Sequence, residues 1–127
     1  MNIELATGTR NAILKCSMPI ASIDNALAIV SAGYEQGASR VLLEANLLPA
    51  SFFDLSTRFA GEFVQKLVNY RLVVAAVFPD DTSYSERFRE YIREARGGRQ
   101  FRTFDDVKHA LRWLDGGSQI EIERTGA

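Results

Sequence analysis

The sequence predicts an α/β fold: a mixed sheet of about five strands, an antiparallel hairpin leading into parallel central strands, covered by about four helices. Three observations carry that expectation. Arg40-Val41-Leu42-Leu43-Glu44 and Leu72 to Phe78 are apolar runs without alternation, as strands covered on both faces require. Between and around them lie stretches whose apolar residues recur every three or four positions, the period of a helix with one buried side. Helices that alternate with covered strands need crossover connections, and these are nearly always right-handed.

The elements follow in order. Asn2 to Ala6 and Asn11 to Cys16 are short apolar stretches on either side of Thr7-Gly8-Thr9, the pattern of a hairpin. Ser22 precedes a first helix with Ile23, Ala26, Leu27, Val30 and Tyr34 as its stripe, and Gly33 and Gly37 are available to end it. After the strand at 40–44, Phe59 to Tyr70 has apolar residues at 59, 60, 63, 64, 67 and 68, with Glu62 and Lys66 at i, i+4 on the outer side. The strand Leu72 to Phe78 stops at Pro79-Asp80-Asp81. Ser83 and Glu86 form a capping box for a helix that buries Phe88, Tyr91, Ile92 and Ala95 and ends at Gly97-Gly98. Gln100 to Arg102 suits a short edge strand. Thr103 with Asp106 caps a last helix, striped by Val107, Ala110, Leu111 and Leu114 and stopped by Gly116.

Composition bounds the function. The chain has 127 residues, 46% hydrophobic and 24% charged, which suits one self-sufficient domain and excludes a disordered chain. That domain is expected to span residues 1–117, with the polar SQIEIERTGA at 118–127 as a loosely ordered tail. Fifteen basic against sixteen acidic residues leave a net charge of -1, so no global field draws in nucleic acid or an anionic membrane. The longest apolar run falls far short of the roughly 20 residues that cross a bilayer, and no basic-then-apolar leader opens the chain, which points to the cytoplasm. Cys16 is the single cysteine, so no internal disulfide forms, and it reads as a small buried hydrophobe.

Most chemistry finds no support. The one histidine, His109, follows Asp105 by four residues, a helical ion-pair spacing, whereas zinc sites and Ser-His triads need further partners. Neither GxGxxG nor GxxxxGK[ST] occurs, so no nucleotide cofactor, metal ion or catalytic residue is assigned. Arg87, Arg89, Arg93, Arg96, Arg99 and Arg102 crowd one region, with Glu86, Glu90 and Glu94 interleaved as in a solvated, ion-paired face. Arg96, Arg99 and Arg102 lack obvious acidic neighbours there and are the ones an anion would use.

The connection between the central strands is more informative. Ligands and partners of open parallel sheets meet the carboxyl ends of the strands, which here brings in Glu44 and Asn46. Asp54, Ser56, Thr57 and Arg58 are expected at the start of the following helix, whose free N-H groups and dipole favour negative charge, with Glu62 one turn further on. The plainer reading of the hydroxyls and of Asp54 is that they cap that helix.

EANL at 44–47, FFDL at 52–55, AGEFVQKLVNYRL at 60–72 and TFDDVKHALRWL at 103–114 together resemble a family of short, uncharacterised bacterial proteins grouped as a domain of unknown function. The chain departs from that pattern at Ala45, where a second acid is usual, and at Arg58, where glycine is common. The order of elements is also similar to the STAS domain of anti-sigma-factor antagonists, in which a phosphorylatable serine opens the helix after a central strand. Phe53-Asp54 followed by Ser56 and Thr57 has a similar place here, with one extra residue and no Ser-Gly step. The resemblance implies a non-enzymatic regulatory module that docks on a protein partner or forms a homodimer, with Ser56 or Thr57 as a phosphorylation switch. The alternative is a protein or enzyme that takes a small anionic ligand in a pocket at the strand ends, lined by Glu44, Asn46, Asp54, Arg58 and Phe52.

Overall fold

A computed structural model describes residues 2–79 and 83–116. Five strands form one sheet in the order β1-β2-β3-β4-β5: β1 Ile3–Leu5, β2 Ile13–Cys16, β3 Arg40–Glu44, β4 Val73–Val77 and β5 Phe101–Phe104. β1 runs antiparallel to β2, and the other neighbours are parallel. The helices are α1 Asn25–Gln36, α2 Ala50–Phe53, α3 Phe59–Asn69, α4 Glu86–Glu94 and α5 Val107–Leu114. The expected mixed sheet is therefore present, and a single-turn helix, α2, joins the four that the sequence predicts. The expected tail at 118–127 and the Asp80-Asp81 turn lie outside the described residues.

Alternation along each central strand splits the interior in two. Leu14, Val41, Leu43, Val74 and Ala76 face one side, where α1, α3 and α4 cover them with Ile29, Phe63, Leu67, Phe88 and Ile92. Ile13, Leu42, Ala75 and Val77 face the other side, which α5 covers with Ala110, Trp113 and Leu114. A strand buried on both faces needs an apolar residue at every position, and this is why 41–43 and 72–78 do not alternate.

At the carboxyl end of β4 the first interior ends in a cluster of rings. Phe88 packs against Phe78 and Phe53 at centroid separations of 5.1 Å each, against Tyr84 at 5.5 Å and against Phe52 at 6.2 Å. Phe52 and Phe88 are fully buried. Burial of such side chains stabilises by about 1.5–3 kcal/mol each, with about 0.5–1.5 kcal/mol more for each well-placed ring pair.

Helix α5 is tethered by polar contacts as well as packing. The Asp115 carboxylate accepts from the Arg10 N-H at 2.9 Å and the Asn11 N-H at 2.8 Å, and Asn11 Nδ2 donates to the Asp115 carbonyl at 3.1 Å. Arg40, at the start of β3, donates to the Leu114 carbonyl and so satisfies one of the free acceptors that end every helix. Those donors hold the Asp115 carboxyl below the usual carboxylate range, chiefly through the Asn11 and Arg10 N-H groups.

Several local expectations need correction. The α1 stripe is rotated: Ala26, Ile29 and Gly33 are buried, whereas Leu27 is 40% and Tyr34 89% exposed. Ahead of that helix, Asn25 Oδ1 accepts from the N-H groups of Ala21 and Ser22. Ser85, not Ser83, caps α4, its hydroxyl accepting from the Phe88 N-H at 3.1 Å. Asp106 alone caps α5, accepting from the His109 N-H at 2.8 Å, because β5 continues to Phe104 and takes in Thr103. The buried Thr103 hydroxyl donates to the Ile92 carbonyl at 2.6 Å, which ties β5 to α4.

Gly33 explains the rotation. A Cβ there would lie 2.5 Å from the Ala38 carbonyl oxygen, so only glycine lets α1 approach the start of β3 this closely. The Gly33 carbonyl in turn accepts from the Ala38 N-H at 2.9 Å, and Gly37 ends the helix at a φ of 65°. Gly33→Ala should therefore destabilise the protein by about 1–3 kcal/mol despite alanine's better helix propensity. Urea unfolding followed by circular dichroism checks this; an unchanged or raised midpoint would contradict the close approach.

Candidate functional site

The connection from β3 to α3 holds the residues singled out in the sequence. Glu44 is the last residue of β3 and is half-buried, and the 3₁₀ turn Ala45–Leu47 carries the exposed Asn46. After α2, a second 3₁₀ turn, Leu55–Thr57, precedes α3, so Asp54, Ser56 and Thr57 belong to that turn rather than to the helix start expected from sequence. β3 and β4 are parallel neighbours, so the crossover returns from the carboxyl end of β3 to the amino end of β4. Glu44, Asn46 and the Asp54–Arg58 turn therefore belong to the same end of the sheet.

The turn is held by its own side chains. The Asp54 carboxylate accepts from the Ser56 hydroxyl at 2.6 Å and from the Ser56 N-H at 3.1 Å. Both bonds favour the ionised form and hold the Asp54 carboxyl below the usual carboxylate range, the hydroxyl more than the N-H. Thr57 Oγ1 lies 2.6 Å from the Ser51 carbonyl and 2.8 Å from that of Asp54, and it accepts from the Phe59 N-H at 3.1 Å. Thr57 thus satisfies the first N-H of α3, and Asp54 satisfies the second N-H of the 3₁₀ turn, that of Ser56. Arg58 follows with a φ of 65°, the left-handed region that suits glycine. Asp54, Ser56, Thr57 and Arg58 are all exposed.

Two side chains lie elsewhere than the sequence suggests. Phe52 is fully buried in the ring cluster. Glu62 lines a shallow groove of about 490 Å³ between the start of α1 and the outer side of α3, with Ile23, Gln65, Lys66 and Asn69. Among the arginines, Arg96 has an acidic partner that helical spacing could not reveal, Asp105, at 3.0 Å. His109 pairs with Asp106, not with Asp105 as its i, i+4 spacing suggests, its Nδ1 lying 2.8 Å from both carboxylate oxygens.

The remaining chemistry is limited. Among the described residues no group of three or more His, Cys, Asp or Glu side chains is placed to hold a metal ion. Cys16 is buried and its thiol is pushed up to about 11 by loss of solvation, so it packs as a small apolar side chain. Among the described residues no helix is long and apolar enough to cross a membrane.

The model of a domain of unknown function, DUF4180, matches residues 9–114, from the hairpin turn to the last residue of α5. The chain belongs to this family. Neither the curated proteins nor the solved structures contain a match. Within the DUF4180 segment lie the β3-to-α3 connection, the ring cluster and α5, while β1 falls before it.

Two outcomes follow for the turn. Left-handed backbone costs a non-glycine residue about 1 kcal/mol, partly offset by the extra freedom that glycine brings to the unfolded chain. Arg58→Gly should accordingly stabilise the protein by roughly 0.5 kcal/mol, a rise of a few degrees in Tm by calorimetry. Because folding depresses the Asp54 pKa, its contribution is present above the unfolded carboxylate pKa of about 3.9 and is lost as pH falls through the lower folded value. Asp54→Asn should be less stable than the parent at neutral pH, and the two denaturation midpoints should converge on acidification.

Proposed function

We propose that the protein is a non-enzymatic, STAS-like interaction module that docks on a protein partner through the Asp54–Arg58 turn, flanked by Glu44, Asn46 and Glu62. One observation carries the reading. At the carboxyl end of β4 the Phe52, Phe78 and Phe88 rings pack against one another, and the Asp54–Arg58 turn is exposed. Such a surface suits recognition by another protein surface better than enclosure of a small molecule. The leading hairpin followed by alternating helices and parallel strands accords with the STAS-like element order.

Ser56 is the natural switch in this reading. Its hydroxyl is exposed and, among the described residues, bonds only within the turn, to a carboxylate 2.6 Å away. A phosphate there would add about -1.5 to -2 charges against Asp54 and drive that carboxylate off the Ser56 N-H. Thr57 is the poorer substrate, because its oxygen is engaged by three main-chain groups that hold α2 and α3 together. The partner can be a second copy of this chain, and the module acts in the cytoplasm of a bacterial cell.

Affinity purification from the native host, with mass spectrometry of co-purifying proteins and of phosphosites after incubation with ATP, tests the proposal. The expected result is a partner retained by the parent protein, with recovery roughly tenfold lower for Ser56→Asp, about 1.4 kcal/mol of binding. A phosphosite map without Ser56 removes the switch, and partner recovery unaffected by substitution of Asp54, Ser56 and Arg58 together removes the docking face.

A further inference from the structure

A second groove, of about 490 Å³, lies where the edge strand β5, the residues after α4 and helix α5 meet. Three arginines line it, Arg96, Arg102 and Arg112, together with His109 and the acids Asp105 and Asp106. The acids do not neutralise it. Three guanidinium groups face two carboxylates: Asp105 pairs with Arg96 at 3.0 Å, and Asp106 accepts from the His109 main-chain N-H at 2.8 Å. Among the described residues neither Arg102 nor Arg112 has a carboxylate partner, which leaves two guanidinium charges on a chain whose net charge is -1.

Arg102 is fixed before any ligand arrives. Its Nε donates to the Gly98 carbonyl at 2.8 Å, Nη2 lies 3.4 Å from the Gly97 carbonyl, and its guanidinium carbon sits 4.9 Å from the centre of the Trp113 ring. The Gly97-Gly98 pair therefore does more than stop α4. A Cβ at Gly98 would lie 1.9 Å from the Phe101 carbonyl oxygen, so only glycine permits the turn that presents these carbonyls to Arg102. An arginine immobilised by folding binds an anion without a further loss of side-chain entropy. Phe104, whose ring is 5.6 Å from that of Trp113, gives the groove an apolar wall beside the charges.

We propose that this groove binds a phosphomonoester dianion attached to a small apolar or aromatic group. The donors set the class: the guanidinium groups of Arg102 and Arg112 can share the three terminal oxygens of a phosphomonoester, whereas a carboxylate offers only two. Arg102 is the fixed contact and Arg112 the mobile one, and the organic group rests on Phe104 and Trp113.

The test is an amide-resolved NMR titration of the full chain with phenyl phosphate, inorganic phosphate and sulfate at matched ionic strength. The expected result is saturable shifts confined to 96–113, tightest for phenyl phosphate. Arg112→Gln, an exposed change that leaves the fold intact, should weaken phenyl phosphate about tenfold, and Arg87→Gln on the outer side of α4 should not. Equal affinity in the two variants, shifts spread along α4, or no saturation overturns the site. A response to sulfate equal to that for phenyl phosphate overturns the phosphomonoester assignment.

Discussion

Each central strand sends alternate residues to opposite sides of the sheet, so neither face of β3 or β4 can be left to water. Four helices share the larger face, whereas among the described helices α5 alone covers Leu42, Ala75 and Val77 on the other. That single helix of eight residues is too short to be stable by propensity and depends on what holds it down. Packing of Ala110, Trp113 and Leu114 supplies most of this, and Arg10, Asn11 and Arg40 fix its end through Asp115 and the Leu114 carbonyl. The leading hairpin and the last helix are thereby joined across the length of the chain.

The elements that sequence conveys well are those whose pattern is set by burial alone. β3, β4 and α3 fall where their apolar residues place them, because nothing but a doubly covered strand or an amphipathic helix fits 40–44, 72–78 or 59–70. Details governed by backbone contact are less visible. Gly33 turns α1 by occupying a buried place that no hydrophobicity pattern marks, and it leaves Leu27 and Tyr34 outside. Caps fail for another reason: Ser83 and Ser85, or Thr103 and Asp106, all carry a side-chain oxygen able to accept a capping bond. Tertiary pairing decides between them, as when Thr103 is drawn into β5.

The candidate sites differ in the same way. The Asp54–Arg58 turn is compact in sequence, and its residues bond to one another, so its membership could be read directly while its conformation could not. The left-handed backbone at Arg58 is a conformation that glycine adopts without steric cost. The arginine groove is assembled from a helix end, a glycine turn, an edge strand and a further helix. Sequence marked Arg96 and Arg102 as arginines without acidic neighbours. Asp105, nine residues from Arg96, and Trp113, eleven from Arg102, become neighbours only when β5 is in place.

The strand order has a consequence for how the chain is made. Every parallel pairing joins strands that are successive in the chain, so the sheet can extend during translation, one strand and helix at a time. The face lined by Ile13, Leu42, Ala75 and Val77 must wait for α5, which leaves the ribosome last of the described helices. Until residues 107–114 emerge, a nascent polypeptide displays an apolar strip across three strands, the kind of surface that chaperones shield and that aggregates when they do not.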